Sequence, residues 1–173
     1  MNRLLLALAC LALLAACAPA PVRTTGVVDA QHFQLDGRLS VRQGDMRHHV
    51  GIRWRHAGPR DEILLTGPLG QGLAELTRDA AGARLTTPDR KSLAADDWES
   101  LAERAFGVRL PLSDMPRWVV GVSPVPQGFP PVTLTIDGWR IDYLEYENGL
   151  PVLMELRHGD IEVRLKVDVW SAP

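Results

Sequence analysis

The sequence predicts a mainly β fold of the α+β class, in which a long antiparallel sheet is covered by two short helices. Most segments beyond residue 31 alternate apolar and polar residues with a period of two, which is typical of strands with one solvated face. Helical spacing occurs only between Asp96 and Val120. The expected order is five strands, two helices and four strands, and a sheet of that size must curl or be covered.

The chain begins with the features of a secretory signal. An apolar stretch from Leu4 to Leu14 follows the cation Arg3, and it is too short to span a bilayer. The segment Leu14-Ala15-Ala16-Cys17 resembles the bacterial lipobox, which implies cleavage before Cys17 and acylation of its thiol. We therefore expect a signal peptide over residues 1–16. The alternative is an ordinary cleaved signal in which the cysteine stands by chance.

The segment after Cys17 is interpreted as an acylated flexible tether over residues 17–30. It contains Pro19, Pro21 and Gly26, and it has little periodic apolar content. In the sorting rule for lipoproteins, a residue such as Ala18 after the acylated cysteine implies the outer membrane, whereas an acid there favours the inner one. The folded domain is then expected over residues 31–173.

Composition excludes two classes of protein. Cys10 leaves with the signal and Cys17 carries lipid, so no thiol remains for a disulfide. The formal charge of the whole chain is −2, and loss of Arg3 makes it more negative by one. No concentrated basic segment indicates nucleic-acid binding. The domain must be held together by its hydrophobic core, for which its length is sufficient.

The strands follow from alternation in the order of the chain. Residues 33–42 and 50–55 are expected to form the first pair, with the turn at Gly44-Asp45. The last strand is the clearest, and its turn lies at His158-Gly159-Asp160. After the first pair, the expected strands are Glu62 to Thr66, Gly72 to Arg78, Ala83 to Thr86, Val132 to Ile136, Trp139 to Tyr146, Val152 to Arg157 and, last, Ile161 to Trp170.

The helical region is predicted to contain two helices. Asp96 and Glu99 resemble a capping box, and Gly107 is expected to end the first helix. Its apolar stripe is Trp98, Leu101, Ala102 and Ala105. A shorter helix is expected over residues 113–120, with an apolar stripe of Leu112, Met115, Trp118 and Val119. Both helices would cover the concave side of the sheet.

Periodicity alone leaves the interior of this sheet open to two interpretations. A barrel of about eight strands holds either a filled core or one small ligand. The five tryptophans are compatible with both: Trp54, Trp98, Trp118, Trp139 and Trp170. The side chains expected in a cavity wall are inward members of the alternating sets, namely Leu39, Val50, Ile52, Trp54, Leu65, Trp118 and Ile136.

The turn Gly67-Pro68-Leu69-Gly70 is difficult to explain by packing. Glycine and proline shape a turn, but neither requires a leucine within it. Leu69 is either exposed at the hairpin tip or folded inward. An exposed leucine that enters another apolar phase contributes about 1.5 to 3 kcal/mol.

Several segments in this order resemble the LolB family of outer-membrane lipoprotein receptors. The resemblance runs from the lipobox to the last strand, although Ser123 to Pro131 is short and rich in proline where other members have a longer excursion. The segments that carry it are Gly37-Arg38-Leu39-Ser40-Val41, Trp54, Leu64-Leu65-Thr66-Gly67-Pro68-Leu69-Gly70, Leu110-Pro111-Leu112, Trp118-Val119-Val120-Gly121, Gly138-Trp139, Leu150-Pro151 and Val169-Trp170.

This resemblance implies a half-open antiparallel β-barrel with a hydrophobic cavity covered by two or three short helices. It implies a protein anchored in the outer membrane through Cys17 and facing the periplasm. The protein would accept triacylated lipoproteins from the soluble carrier LolA and insert their acyl chains into the membrane. The family's protruding loop carries a leucine needed for insertion, and Leu69 matches it, flanked by Gly67, Pro68 and Gly70. A monomer without cofactors is expected.

Catalysis and metal binding have little support in the sequence. No nucleophile elbow, His-Glu-x-x-His motif or phosphate loop occurs. His48 and His49 are adjacent on a strand, so they point to opposite faces and cannot share a metal. The acids of the first helix, Asp96, Asp97, Glu99 and Glu103, are interpreted as caps and solvated side chains.

Two other interpretations remain open at this stage. The chain could be a lipocalin-like binder of a free lipid, or an accessory lipoprotein scaffold of an outer-membrane assembly complex. The arginines of the first hairpin are interpreted as a solvated face, with an acidic rim of the carrier as the alternative partner. They are Arg38, Arg42, Arg53 and Arg55.

Overall fold

A computed structural model describes residues 22–106, 112–122 and 133–173. The described strands form one sheet in the order β7-β6-β5-β4-β3-β2-β11-β10-β9-β8, and β1 pairs with β11 outside that path. The strands are β1 Arg23–Thr25, β2 His32–Gln43, β3 Met46–Ala57, β4 Arg60–Thr66, β5 Gly72–Asp79, β6 Gly82–Thr86, β7 Ser92–Ala95, β8 Thr133–Ile136, β9 Trp139–Glu147, β10 Leu150–His158 and β11 Ile161–Ser171.

The sheet is a half-open barrel, as predicted. All neighbouring pairs along the path are antiparallel, and its two ends, β7 and β8, are not paired with each other. The centre is the long hairpin of β2 and β3, which pairs without interruption from His32 opposite Ala57 to Gln43 opposite Met46. The uninterrupted register keeps one set of alternate side chains on the concave face along the whole hairpin.

The backbones of the paired strands β2 and β11 approach each other closely at Gly37. A Cβ atom at Gly37 would lie 2.4 Å from the carbonyl oxygen of Lys166, a distance that no side chain tolerates. The ladder between the two strands shifts register between Val167 and Val169 at the same place. Glycine at position 37 therefore permits the close approach of the two backbones beside the bulge.

The strand β1 lies inside the segment predicted to be a flexible tether. Arg23–Thr25 pairs in parallel with Val169, Trp170 and Ser171, and the amide of Val22 donates to Glu147 Oε2 at 2.9 Å. Three polar residues gave no alternation by which this strand could be predicted. The folded part of the chain therefore includes residues before 31, and any tether over residues 17–30 is shorter than expected.

Two helices, α1 Trp98–Phe106 and α2 Met115–Val119, lie where the spacing predicts them. The cap of α1 is Asp97, one residue later than the capping box suggests, because its Oδ1 accepts the amide of Ser100 at 2.6 Å. Glu99 instead accepts the amide of Ser113 at 3.0 Å and so ties α1 to the segment before α2. The expected end at Gly107 and the segment from Ser123 to Val132 lie outside the described residues.

Helix α1 packs its buried side chains against the sheet next to β6 and β7. The buried set is Trp98, Leu101 and Ala102. Helix α2 is attached to β9, because the hydroxyl of Tyr143 donates to the carbonyl oxygen of Trp118 at 2.7 Å. The helices therefore lie over the concave side, as expected. Within the described residues, no helix is long and apolar enough to cross a bilayer.

Replacement of Tyr143 by phenylalanine is expected to lower the free energy of unfolding by about 1 kcal/mol at pH 7, because the Trp118 carbonyl loses the hydroxyl donor and keeps the amide of Gly121. Burial raises the pKa of Tyr143 above its ordinary value of 10.0, and it raises the pKa of Tyr146 to about 12. The stability that depends on protonated tyrosine is complete below pH 10 and declines above it as the unfolded chain ionises. Tyr143→Phe should flatten that decline in urea titrations between pH 9 and pH 11, and an unchanged slope would contradict this assignment.

Candidate functional site

The concave side of the sheet encloses an apolar cavity of about 530 Å³. That volume lies within the range of about 300 to 1,000 Å³ that is usual for small-molecule sites. The lining comes from β2 to β5, from β9 to β11 and from both helices. Its members are Leu39, Val41, Gln43, Met46, His48, Val50, Ile52, Trp54, Ile63, Leu65, Leu76, Trp98, Leu112, Met115, Trp118, Val119, Trp139, Leu156, Ile161, Val163 and Leu165.

Six of the seven side chains expected in the wall line this cavity: Leu39, Val50, Ile52, Trp54, Leu65 and Trp118. Ile136 does not, and it packs half-buried against the core at the end of β8. This strand is an edge of the sheet, and the adjoining wall is supplied by Trp139 instead. Alternation alone assigns Ile136 to the inner face of its strand but does not show how far the cavity extends along the sheet.

Sequence reasoning did not single out the contribution of β11 to the wall. Leu165 and Val163 lie opposite Leu39 and Val41 of β2, so the four side chains form two adjacent cross-strand pairs in the wall. The regular alternation of β11 was the sequence signal that could have identified Val163 and Leu165 as wall residues. Met115 was also missed as a wall residue, and Trp98 was left open between core and wall, because a helix stripe does not by itself distinguish a core from a lid.

The cavity opens at the end of the sheet where β2 meets β3. Met46 and His48 line it and are exposed, whereas Trp54, farther along β3, is buried. Gln43 and His48 bring polar groups to this opening. His49 lies on the opposite face of the sheet, as alternation requires. The described part of the chain contains no group of three or more side chains able to hold a metal ion.

A buried carboxylate holds the lining residue Trp54 in place. Asp61 is 1% exposed and accepts hydrogen bonds from the indole of Trp54 at 2.7 Å, from Nε of Arg78 at 2.7 Å and from the His56 ring at 2.8 Å. Phe33 packs edge-on against Trp54 with ring centroids 5.1 Å apart. These contacts fix Trp54, which forms the floor of the cavity. The sequence did not predict this network.

Replacement of Asp61 by alanine is expected to lower the free energy of unfolding by about 3 to 5 kcal/mol. The substitution leaves Arg78, His56 and the Trp54 indole without their shared acceptor in a buried place. Glu62→Ala is the matched control, since its carboxylate is exposed and lies 4.0 Å from Arg55. The control should cost less than about 1 kcal/mol. Equal losses in chemical denaturation would contradict the role of Asp61.

The structure places Leu69 at the tip of the β4–β5 hairpin with 93% of its surface exposed. The amide of Gly67 donates to the carbonyl of Gln71 at 2.8 Å, and the amide of Gly70 donates to the carbonyl of Gly67 at 2.9 Å. Gly70 has a φ of 80°, which explains why this position is occupied by glycine. The turn is thus held by its own backbone, and Leu69 makes no packing contribution to the core.

The Leu69 hairpin lies at the same end of the sheet as the cavity opening. Thr66, the last residue of β4, pairs with Gly51, and β3 continues from there toward its start at Met46. In an antiparallel sheet, the end of β4 and the start of β3 lie at the same edge. An exposed leucine therefore stands beside the open end of an apolar cavity. Cys17 lies outside the described residues.

The four arginines of the first hairpin lie on the outer face, each near a carboxylate of this chain. The partner of Arg38 is Asp168 at 2.8 Å, and that of Arg42 is Glu162 at 2.7 Å. The other two pairs are Arg53 with Asp36 at 2.6 Å and Arg55 with Glu62 at 4.0 Å. All four are exposed, so each pair contributes little to stability.

Comparison with known proteins gives a consistent result. The family model described as "Outer membrane lipoprotein LolB" matches residues 31–170. The chain is similar to proteins named "Outer-membrane lipoprotein LolB" in three organisms. The protein of Azoarcus sp. (strain BH72) is 37% identical over 98% of this chain and 96% of its own length. The protein of Nitrosomonas europaea is 36% identical, and the match covers 87% of this chain and 78% of its own length. The protein of Thiobacillus denitrificans is 35% identical, and the match covers 90% of this chain and 89% of its own length.

Among solved structures, this chain is similar to a LolA superfamily protein from Nitrosomonas europaea, and the structural alignment covers 85% of this chain and 89% of the other. The TM-score is 0.49 and the sequence identity is 11%.

Proposed function

Because this chain belongs to the LolB family of outer-membrane lipoproteins, we propose that it receives triacylated lipoproteins from the carrier LolA and inserts them into the inner leaflet of the outer membrane. In this proposal the cavity takes the acyl chains, Cys17 carries the lipid anchor and the domain faces the periplasm. The observation that carries it is the apolar cavity, whose open end lies beside the exposed Leu69.

The physical need for such a cavity follows from the lipid. Exposure of three chains with about 15 methylenes each to water would cost on the order of 35 kcal/mol, at about 0.8 kcal/mol for each methylene. Free diffusion across an aqueous compartment is therefore excluded, and the chains must pass directly from one apolar site to another. No nucleotide is needed if the affinity for the chains rises from carrier to receptor to bilayer.

The chemistry of the cavity lining fits this task, whereas the cavity volume fits it only in part. Its lining is hydrophobic apart from Gln43 and His48, which lie near the open end. That arrangement suits a hydrocarbon chain inside and the polar end of a lipid at the opening. A volume of about 530 Å³ corresponds to a ligand of moderate size. Three full chains would therefore require the half-open barrel to widen, which the unpaired edges β7 and β8 permit.

No chemical step is assigned to the protein in this proposal. Two of the histidines have structural positions: His56 belongs to the Asp61 network, and His158 stacks on Trp139 with ring centroids 5.0 Å apart. Transfer would be driven by binding alone. The family itself is one of lipoproteins and not of enzymes.

The experiment that tests the proposal is transfer from a purified carrier. A LolA–lipoprotein complex is mixed with vesicles that contain the acylated protein, and the lipoprotein is followed from the carrier to the receptor and then to the vesicle. We expect the client to leave the carrier and to become resistant to alkaline extraction from the membrane. A client that stays on the carrier would contradict the proposal, as would depletion in cells that affects one lipid or one complex only.

A further inference from the structure

A second concavity of about 470 Å³ lies on the outer face of the sheet, across β11, β2 and β3. Its floor contains small residues, among them Ser40 and Gly51, and Pro68 of the Leu69 hairpin forms one wall. Arg38, Arg164 and Lys166 line it as well. They alternate with side chains that line the inner cavity, so they point outward. This concavity is called the outer groove below.

Among the side chains that line the outer groove, cations outnumber carboxylates. Its three cations face a single lining carboxylate, that of Glu145. Lys166 lies directly opposite Arg38 on the neighbouring strand, and like charges in that position repel each other. An anion between the two side chains would remove this repulsion.

Arg38 and Arg164 each have one carboxylate partner beside the groove and keep further N–H donors, whereas Lys166 has no such partner in the described part of the chain. Arg38 gives Nε and Nη2 to Asp168, which holds the guanidinium in place and leaves its other nitrogen free of that contact. Arg164 lies 3.3 Å from Glu155. The ammonium group of Lys166 makes no hydrogen bond or ion pair with any residue in the described part of the chain, and the residue is exposed. Arginine and lysine side chains are both suited to binding phosphate.

The position of the outer groove relative to Leu69 indicates the source of the phosphate. Pro68 lines the groove and Leu69 is the next residue, while Gly51 on the floor pairs with Thr66 at the foot of the hairpin. At about 3.3 Å for each extended residue, the tip stands at most about 10 Å from that pair. Apolar side chains of interfacial segments reach about 5 to 10 Å into the boundary between headgroups and acyl chains. When Leu69 enters this boundary, the groove lies at the level of the headgroups.

We propose that the outer groove binds the phosphate of a membrane phospholipid, so that Leu69 and the groove together orient the protein on the bilayer during delivery. This inference rests on the proposed role of the Leu69 hairpin in meeting the membrane. The phosphate accepts hydrogen bonds from Lys166, Arg164 and the remaining guanidinium nitrogen of Arg38, and the small floor residues leave room for the headgroup.

The test compares delivery to vesicles of three compositions by the acylated protein. The vesicles contain phosphatidylglycerol with phosphatidylethanolamine, phosphatidylethanolamine alone, or a neutral diglycosyl diacylglycerol that has no phosphate. The variant is Lys166→Gln with Arg164→Gln, and Arg55→Gln is the matched control on the same face but outside the groove. Client uptake from the carrier is measured in the same reactions, so that loss of the proposed function is seen separately.

We expect delivery by the double variant to fall about fivefold for each charge removed on vesicles that contain phosphatidylglycerol. A smaller loss is expected on phosphatidylethanolamine, and none on the phosphate-free vesicles. Uptake and the rates of Arg55→Gln should match those of the parent. The inference is overturned if the double variant delivers at the parental rate, if Arg55→Gln loses as much, or if the loss is equal on phosphate-free vesicles. The last result would point to contact with the carrier instead.

Discussion

Leu69→Glu is expected to leave uptake of a lipoprotein unchanged and to slow its delivery to vesicles by at least about tenfold. The side chain is 93% exposed and contributes nothing to the core, so the substitution does not alter the fold. Entry of leucine into an apolar phase is favourable by about 1.5 to 3 kcal/mol, and a carboxylate forfeits that gain and opposes entry. A change of 1.4 kcal/mol corresponds to a factor of ten.

The measurement separates the two steps with a labelled client. Uptake is the amount of client that leaves the carrier and is recovered with the receptor, and delivery is its subsequent insertion into vesicles. Leu73→Glu is the control, since Leu73 is 40% exposed on β5 but is not part of the tip. Delivery by Leu69→Glu at the parental rate would show that the hairpin has no role in insertion.

Val50→Trp is expected to abolish uptake of the client, because the larger ring would occupy the cavity. Val50 is half-buried on β3 and lines the cavity between its opening and its floor. Its partial exposure gives the ring room to enter without displacing the buried core. We expect uptake to fall to less than about a tenth of the parental level, while the melting temperature changes little.

Leu144→Trp is the matched control for this substitution. Leu144 is 48% exposed on β9 and does not line the cavity, so an added ring there should leave uptake unchanged. Normal uptake by a folded Val50→Trp protein would contradict the assignment of the cavity as the acyl site. The two predictions together place uptake in the cavity and delivery at the hairpin.

The fold was largely predictable from local pattern. Alternation identified β2, β3 and β11, since one solvated face gives a period of two. The same signal failed for β1 and β7. Strand β1 has three polar residues, and β7 consists of Ser92-Leu93-Ala94-Ala95, which has weak strand propensity. Strand β1 forms by pairing with β11, which is distant in the sequence, and β7 forms by pairing with β6.

The cavity wall was predictable only in part. Side chains such as Leu39 and Ile52 follow from the inner face of long strands, whereas the extent of the cavity at Ile136 depends on the edge of the sheet. Asp61 precedes Glu62 and looks like a solvated acid in the sequence. Its burial depends on Arg78, which faces it from β5 across a register that no local pattern specifies.

The outer groove shows the same dependence on register. Arg38 and Lys166 are 128 positions apart, and each looks like an ordinary residue of a solvated face. Their direct opposition results from the pairing of β2 with β11. Residue types indicate the sign of the charge, but the concentration of charge beside the Leu69 hairpin arises from the tertiary fold.

The most direct measurement of the central claim is photo-cross-linking between the cavity and the acyl chains of a client. A photoreactive residue is placed at Leu165, which lines the cavity, or at Leu144, which is exposed on β9. A lipoprotein with labelled acyl chains is then supplied on its carrier. We predict that label is transferred to position 165 and not to position 144, and that unlabelled client suppresses the transfer. Equal labelling of both positions, or none at position 165, would show that the chains do not enter the cavity.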